Sequence, residues 1–296
     1  MGEIKAKILF PVGIIDIGSN SVRLMYSDGN FINKKLITTQ LGSGVLADKS
    51  LSFEKMFETA NAVKELNELA LTMGVKSVFA FATAAVRNAK NQSEFTGLVY
   101  ELSGLKVDVV SSKIETELAV LGALDGIDGC VIDIGGASTE IAFTKSGKIE
   151  YGHSYDVGAV SLYSKCKRDR NSIEKYLNQT INCNNDNTAK IVKGIGGTIS
   201  SLAVFDLKLK EYNALKVDNH FMPIESIERI VNQLYSITPS KLCEEFAISN
   251  KRAEIIAGGA SILLKVLKTY NLNGITVCES DNLEGYLKYI RKIYEE

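Results

Sequence analysis

The sequence is poor in the residues that several common functions require. Its five cysteines (130, 166, 183, 243 and 278) are odd in number, widely spaced and without a Cys-x-x-Cys pair, and there are only two histidines. That set argues against a disulfide framework and a structural zinc site, and fits the reduced thiols of a cytoplasmic protein. His153 and His220 have no second His or Cys at metal-ligand spacing and read as structural. Charge of one sign is also missing: the net charge is −1. The chain as a whole therefore attracts neither nucleic acid nor an anionic membrane, and the lysine-rich runs read as solvated faces. Any anion site must be local. No run approaches the roughly 18 apolar residues of a membrane span. The opening MGEIKAKILFPVGIID sets lysines before an apolar stretch, as a secretory leader does, but Pro11 and Asp16 interrupt it. It reads as a first strand.

What is present is an ordinary globular balance: 296 residues, 45 % hydrophobic and 23 % charged, enough for one large domain or two of usual size. Strand-like runs fall at 8–16, 21–27 and 31–39. In SFEKMFETANAVKELNELALTMG, residues Phe53, Met56, Phe57, Ala60, Val63, Leu66 and Met73 recur at helical spacing, with Ser52 as N-cap and Gly74 as stop. A strand VKSVFAF, a helix from about 91, a strand LKVDVV and a helix from about 113 come next. The second half repeats the order: strands near 129–134, 138–144 and 148–155, helical segments to about 180, a polar turn NCNNDN, a strand AKIVKGIG and a helix TISSLAVF. Helices near 224–235 and 250–270, a strand GITVCE and a helix from about 282 complete it. Each half reads βββ-α-β-α-β-α, which predicts a duplicated α/β unit. We place the units at 1–126 and 127–296, with packing of the last helix, about 282–296, back on the first unit as an alternative.

The duplication shows most plainly in VGIIDIGSNSVRL (12–24) and GCVIDIGGASTEI (129–141), where Asp-Ile-Gly-x-x-Ser recurs 117 positions apart. Glycine at a tight turn lets backbone N–H groups converge without a Cβ in the way, and converging amides make an anion nest. Hydroxyls add donors, and an Asp at a strand end can hold Mg2+. Asp16, Gly18, Ser19, Asn20 and Ser21 supply these parts in the first copy; Asp133, Gly135, Gly136, Ala137, Ser138 and Thr139 supply them in the second. A third glycine turn, GIGGTIS, places Gly196, Gly197 and Thr198 between a strand and a helix, where N-terminal amides again suit a phosphate or nucleotide.

These turns resemble the phosphate-binding elements of the actin/Hsp70/sugar-kinase superfamily. FATAAVRNAKNQSEF (81–95) and VVSSKIETELAVLGAL (109–124) narrow the resemblance to the exopolyphosphatase/guanosine pentaphosphate phosphatase (Ppx/GppA) family. LGSGV (41–45), DVGAVSL (156–162) and RAEIIAGGA (252–260) match it in outline. The resemblance implies an α/β protein of two ribonuclease-H-like, actin-like ATPase lobes with the active site in the cleft between them. It further implies Mg2+- or Mn2+-dependent removal of the terminal phosphate from polyphosphate or pppGpp, a place in the stringent response, and a cytoplasmic location. Glu115 falls on the catalytic base, Asp133 and Glu140 on the metal-linked and water-positioning acids, with Asp16 a further metal candidate. Arg87 falls on a substrate-phosphate ligand, with Arg23 lining the same site; Arg252 opens a helix and is a further phosphate candidate.

The partners expected are polyphosphate or guanosine penta- and tetraphosphate, with no nucleic acid and no membrane; a homodimer would join two clefts into a longer basic groove. The chain ends soon after the closing helix and has no basic excess for a long channel, which points to short-chain polyphosphate or pppGpp and a non-processive enzyme. Two other readings stay open. One is an ATP-dependent kinase or ATPase of the same superfamily. The other is a non-catalytic sensor of (p)ppGpp or polyphosphate, motivated by Ser112, Ile114 and Ala137, which depart from the family's Gly-x-Glu-Glu-Ala and third turn glycine.

Overall fold

A computed structural model describes residues 10–45, 48–182 and 187–295. Most of the expected NCNNDN turn, with Cys183, lies outside them. The chain forms two compact units, one running up to Gly122 and resuming at Asn282, the other spanning Ala123–Asp281.

The first unit is built from β1 (Val12–Ile17), β2 (Ser21–Ser27), β3 (Ile32–Thr38), a 3-10 turn at Leu41–Gly44, α1 (Phe53–Thr72), β4 (Ser77–Ala82), α2 (Ala84–Arg87), α3 (Gln92–Ser103), β5 (Val107–Val109) and α4 (Ser112–Ala123). The chain's last helix, α12 (Asn282–Glu295), also belongs to it. The strand order is β3-β2-β1-β4-β5, antiparallel across β1–β3 and parallel from β1 to β5. β1 is buried along its whole length because both faces are covered, which is why it reads as an unbroken apolar run. Ile15 and Ile17 pack with Met56, Val63 and Leu66 of α1 and Phe95 and Val99 of α3. Val12 and Ile14 pack on the other face with Leu118 of α4 and Leu283, Tyr286 and Ile290 of α12. Ser52 caps α1 by accepting the Lys55 N–H at 3.4 Å, and Gly74 follows the helix at φ +79°.

The second unit contains β6 (Gly129–Ile134), β7 (Thr139–Lys145), β8 (Lys148–Tyr155), α5 (Ala159–Cys166), α6 (Arg170–Thr180), β9 (Val192–Ile195), α7 (Gly196–Asp206), α8 (Ala214–Val217), β10 (Phe221–Pro223), α9 (Ile224–Ser236), α10 (Pro239–Glu245), α11 (Asn250–Thr269) and β11 (Gly274–Val277). Its sheet order, β8-β7-β6-β9-β11-β10, repeats that of the first unit with one strand added. The structure thus carries the same winding twice. The added strand, β10, and the short helices α2, α8 and α10 do not appear in the sequence reading. Elements of three to seven residues show too little hydrophobic period to be read, and β10 exists because β11 offers it an antiparallel edge. α11 runs through the core, with Gly258 against Leu162 of α5 and Gly259 against Thr198 of α7.

Candidate active site

The two Asp-Ile-Gly-x-x-Ser turns fold alike. The Gly18 N–H donates to Ser21 O at 3.0 Å, and the Gly135 N–H donates to Ser138 O at 3.1 Å. In each, neighbouring chain takes up the turn's carbonyls. Asn20 O accepts from the Thr39 and Gln40 N–H groups, and Ser19 O from the Gly42 N–H at 2.7 Å. Gly135 O accepts from Ala159 at 3.0 Å, and Gly136 O from Val160 and Ser161 at 2.8 and 2.9 Å. The two segments that resembled the family only in outline, LGSGV and DVGAVSL, therefore do one job: each holds the carbonyl side of a turn. The N–H groups of Ser19, Asn20, Gly136 and Ala137 donate to no partner among the described residues. Unpartnered amides at a glycine turn suit an anionic oxygen.

At the equivalent register position, 117 residues apart, β2 carries Arg23 and β7 carries Glu140. Arg23 lies across from Asp16 and donates to its Oδ2, with Nη2 at 2.5 Å and Nε at 3.0 Å. Elsewhere in the first unit, Arg87 at the end of α2 donates to Glu115 Oε2 at 2.6 Å and to Val110 O at 3.1 Å. Glu115 is 4 % exposed. It is no solvated acid of a helix face but a buried carboxylate paired with the one arginine of the Thr-Ala-x-x-Arg segment. Thr83 and Asn91 of that segment are structural. Thr83 precedes α2, its N–H donating to Ile17 O, and Asn91 bonds both the N–H and C=O of Leu51.

In the second unit, Asp133 on β6 faces Glu140 on β7, and both are buried. Ser154 on β8 donates to Glu140 Oε1 at 2.8 Å. Gly196 has φ +88°, and a Cβ there would stand 2.6 Å from Asp133 Oδ1, so the third turn lies directly against this carboxylate. The Arg252 guanidinium occupies the space a Cβ at Gly197 would need. Thr198 Oγ1 is buried and has no hydrogen-bond partner. The structure thus gathers Asp133, Gly196, Gly197 and Arg252, with Glu140 beside Asp133. The fully buried Thr139 hydroxyl donates to Val157 O at 2.6 Å.

Among the described residues no group of three or more His, Cys, Asp or Glu side chains forms a protein metal cage. The oxygen-only pair Asp133 and Glu140, with glycine kept at 196 to leave the carboxylate its place, fits Mg2+ in that ion's usual manner. Mg2+ takes one or two carboxylates and completes its shell with water and phosphate oxygens. Neither histidine joins the site. His220 pairs with Asp206 at 2.9 Å, and His153 is exposed and packs edge-on to Tyr155. Cys130, Cys166, Cys243 and Cys278 form no disulfide among the described residues, and burial pushes the Cys130 thiol pKa upward. No helix among the described residues is long and apolar enough to cross a membrane.

Sequence reasoning missed Ser154, which no motif marks, and the role of Gly158. A Cβ at Gly158 would fall 2.5 Å from Gly136 C and 2.6 Å from Ala137 N. The signal for it was present in the Asp-Val-Gly-Ala match.

The model of the Ppx/GppA phosphatase family matches residues 27–290. Exopolyphosphatase 2 of Mycobacterium tuberculosis is 24 % identical over 93 % of this chain and 96 % of its own length. The guanosine-5'-triphosphate,3'-diphosphate pyrophosphatase of Photobacterium profundum is 23 % identical over 92 % of this chain, and the chain spans 57 % of that protein. A bifunctional 3-dehydroquinate synthase/phosphatase of Fusobacterium nucleatum is 26 % identical, and the chain spans 45 % of its length. The solved structure of the Aquifex aeolicus Ppx/GppA enzyme superposes with a TM-score of 0.74 at 29 % identity, covering 93 % of this chain and 98 % of that one. With matching order of motifs, two sheets of one winding and a family match over most of its length, the chain belongs to the Ppx/GppA phosphatase family.

Proposed function

We propose that the chain is a phosphohydrolase that removes the terminal phosphate of polyphosphate or guanosine pentaphosphate, with Glu115 as general base. The observation that carries this is the pair of equivalent turns whose amides at residues 19, 20, 136 and 137 are left without partners among the described residues. They supply donors for phosphate oxygens. Phosphoanhydride hydrolysis asks mainly for positioning and charge neutralisation. In the reaction the oxygen of a water molecule bonds to the terminal phosphorus and the P–O bond to the leaving phosphate breaks. The water's proton passes to the Glu115 carboxylate. Arg87 fixes that carboxylate's position and offsets charge on the transferred group. Mg2+, held by Asp133 with Glu140 behind it, would offset further charge when bound. Short chains and nucleotides are the favoured substrates, because a net charge of −1 offers a long polyanion few contacts.

The test measures acceptor-free phosphate release from tripolyphosphate, long polyphosphate, pppGpp and ATP at equal concentrations of chain ends. The wild type should release phosphate from tripolyphosphate or pppGpp and leave shortened intermediates visible on long chains. Glu115→Gln should retain folding and substrate binding while losing about 10²- to 10⁴-fold in turnover. Turnover confined to ATP would make the chain a kinase or ATPase instead, and tight binding without release would make it a sensor. A Glu115→Gln variant at near wild-type rate would remove Glu115 from the role of base.

A further inference from the structure

We propose that the groove between the outer edge of the first unit's sheet and α12 binds a free apolar α-amino acid as its zwitterion. The groove encloses about 460 Å³ and is lined by the start of β4, by residues Gly104 to Asp108 and by α12 from Tyr286 onward. That volume falls within the usual range of small-ligand sites, about 300–1,000 Å³. β1, β4 and β5 run parallel, so the groove lies at the opposite end of the sheet from the Gly18 turn. The inference does not rest on the hydrolase reading.

Strand register and helix period build this groove. β5 is the outermost strand, and its register sets Asp108 beside Phe81, on the face of the sheet that α12 covers. Lys106, two positions earlier, lines the groove from the same side, as strand alternation requires. Tyr286 stacks on Phe81 with ring centroids 4.4 Å apart and donates to Asp108 Oδ2 at 3.2 Å, closing the inner end. Tyr286, Ile293 and Tyr294 stand at i, i+7 and i+8 on one helical face. Tyr286 is 4 % exposed, whereas Ile293 is 58 % and Tyr294 39 % exposed. The apolar stripe thus continues past its cover, beside Phe79, whose ring centroid is 6.1 Å from that of Tyr294.

Two charges of opposite sign border this apolar surface. Lys106 and Asp108 are both exposed, and no ion pair among the described residues takes up either. An extended chain sets them about 6.6 Å apart along the strand. A free amino acid carries its ammonium and carboxylate on one carbon, so a single molecule answers both. Asp108 accepts from the ammonium, and Lys106 donates to the carboxylate. The ligand's apolar side chain then lies against Phe79, Ile293 and Tyr294. An amine without the carboxylate meets the Lys106 charge, and an acid without the ammonium meets that of Asp108, so each is opposed. The groove therefore selects the zwitterion over either half of it.

The experiment titrates the full chain with L-phenylalanine, phenethylamine, 3-phenylpropionate and N-acetyl-phenylalaninamide, and reads affinity from NMR shift changes. The wild type should bind L-phenylalanine at least about tenfold more tightly than the other three, which lack one charge or both. Asp108→Asn keeps an acceptor for the Tyr286 hydroxyl. It should erase the preference over 3-phenylpropionate, which lacks the ammonium, and keep that over phenethylamine. Lys106→Met keeps the apolar stem and should do the reverse. Ile293→Ala should weaken L-phenylalanine binding about three- to tenfold. A merely structural role for either charge would weaken all four compounds alike, so the selective loss of one preference is the signature sought. No binding of L-phenylalanine up to about 10 mM would overturn the proposal. Equal affinity for all four compounds, or variants that retain both wild-type preferences, would do the same. Tighter binding of N-acetyl-phenylalaninamide than of L-phenylalanine would overturn it in favour of a peptide segment. None of these outcomes depends on phosphate release, so this proposal and the hydrolase reading fail separately.

Discussion

Gly158→Ala tests whether the N-terminus of α5 shapes the second glycine turn, which we propose binds phosphate. The added methyl would sit 2.5 Å from Gly136 C, 2.6 Å from Ala137 N and 2.7 Å from Gly135 O. All three are backbone atoms, so no side chain can swing aside. Restoring ordinary contact, near 3.4 Å, requires the turn and the helix to part by about 0.9 Å. That movement strains the bonds from Ala159, Val160 and Ser161 to the turn's carbonyls. Overpacking of this kind costs about 1–3 kcal/mol of stability. A displacement near 1 Å at a phosphate ligand costs about 10²-fold in rate. The assay pairs kcat/KM for phosphate release with urea denaturation. Gly97→Ala serves as control, since nothing lies within 4 Å of a Cβ there. Within α3 it should be neutral or stabilising by up to about 1 kcal/mol. The expected result for Gly158→Ala is a folded protein, weakened by about 1–3 kcal/mol and slowed by about two orders of magnitude. A variant that loses stability yet keeps its rate per folded molecule would show that the turn's position does not govern the site.

Two further outcomes are expected from the same geometry. Exhaustive chelation should abolish phosphate release, with recovery on Mg2+ or Mn2+, and Asp133→Asn should weaken Mg2+ binding measured by calorimetry in the presence of phosphate; release undiminished by chelation would contradict the oxygen-ligand site. At high pH, Tyr286 should contribute to unfolding. Burial, and then the charge of Asp108, push its phenol above its usual value. In the unfolded chain it ionises near 10. Below that pH it is protonated in both states and stability is indifferent to it. Above it the unfolded state loses its proton first, and stability falls by up to about 1.4 kcal/mol per pH unit. Tyr286→Phe should show a shallower alkaline decline in urea midpoint, and an identical slope would refute the assignment.

The elements most readable in the sequence were those with a long period or a repeat. α1 announces itself by apolar residues at helical spacing between Ser52 and Gly74, and the structure places the helix at Phe53–Thr72. The Asp-Ile-Gly-x-x-Ser repeat foretold two turns between antiparallel strands, and they share the same backbone hydrogen bond. The match of LGSGV and DVGAVSL located the segments that hold those turns, but not what they do. Ser154 had no motif, because its bond to Glu140 is set by the register of β8 against β7 and not by any pattern in its own segment.

Composition, periodicity and the repeat by themselves determined a globular α/β balance, two units of one winding and the place of the paired glycine turns. Local pattern suffices there, since strand alternation, helix period and glycine's steric freedom act over a few residues. The tertiary structure alone decided which side chains meet. It put α12 on the first sheet, where Gly285 lets it lie against the α4 backbone at Leu118 O and where Lys34 pairs with Glu284 and Tyr286 with Asp108. It also turned Glu115 from an acid on a helix into a buried carboxylate held by Arg87, 28 residues away. Burial and pairing belong to the packed whole: a side chain's surroundings are set by elements remote in sequence, and no local window contains them.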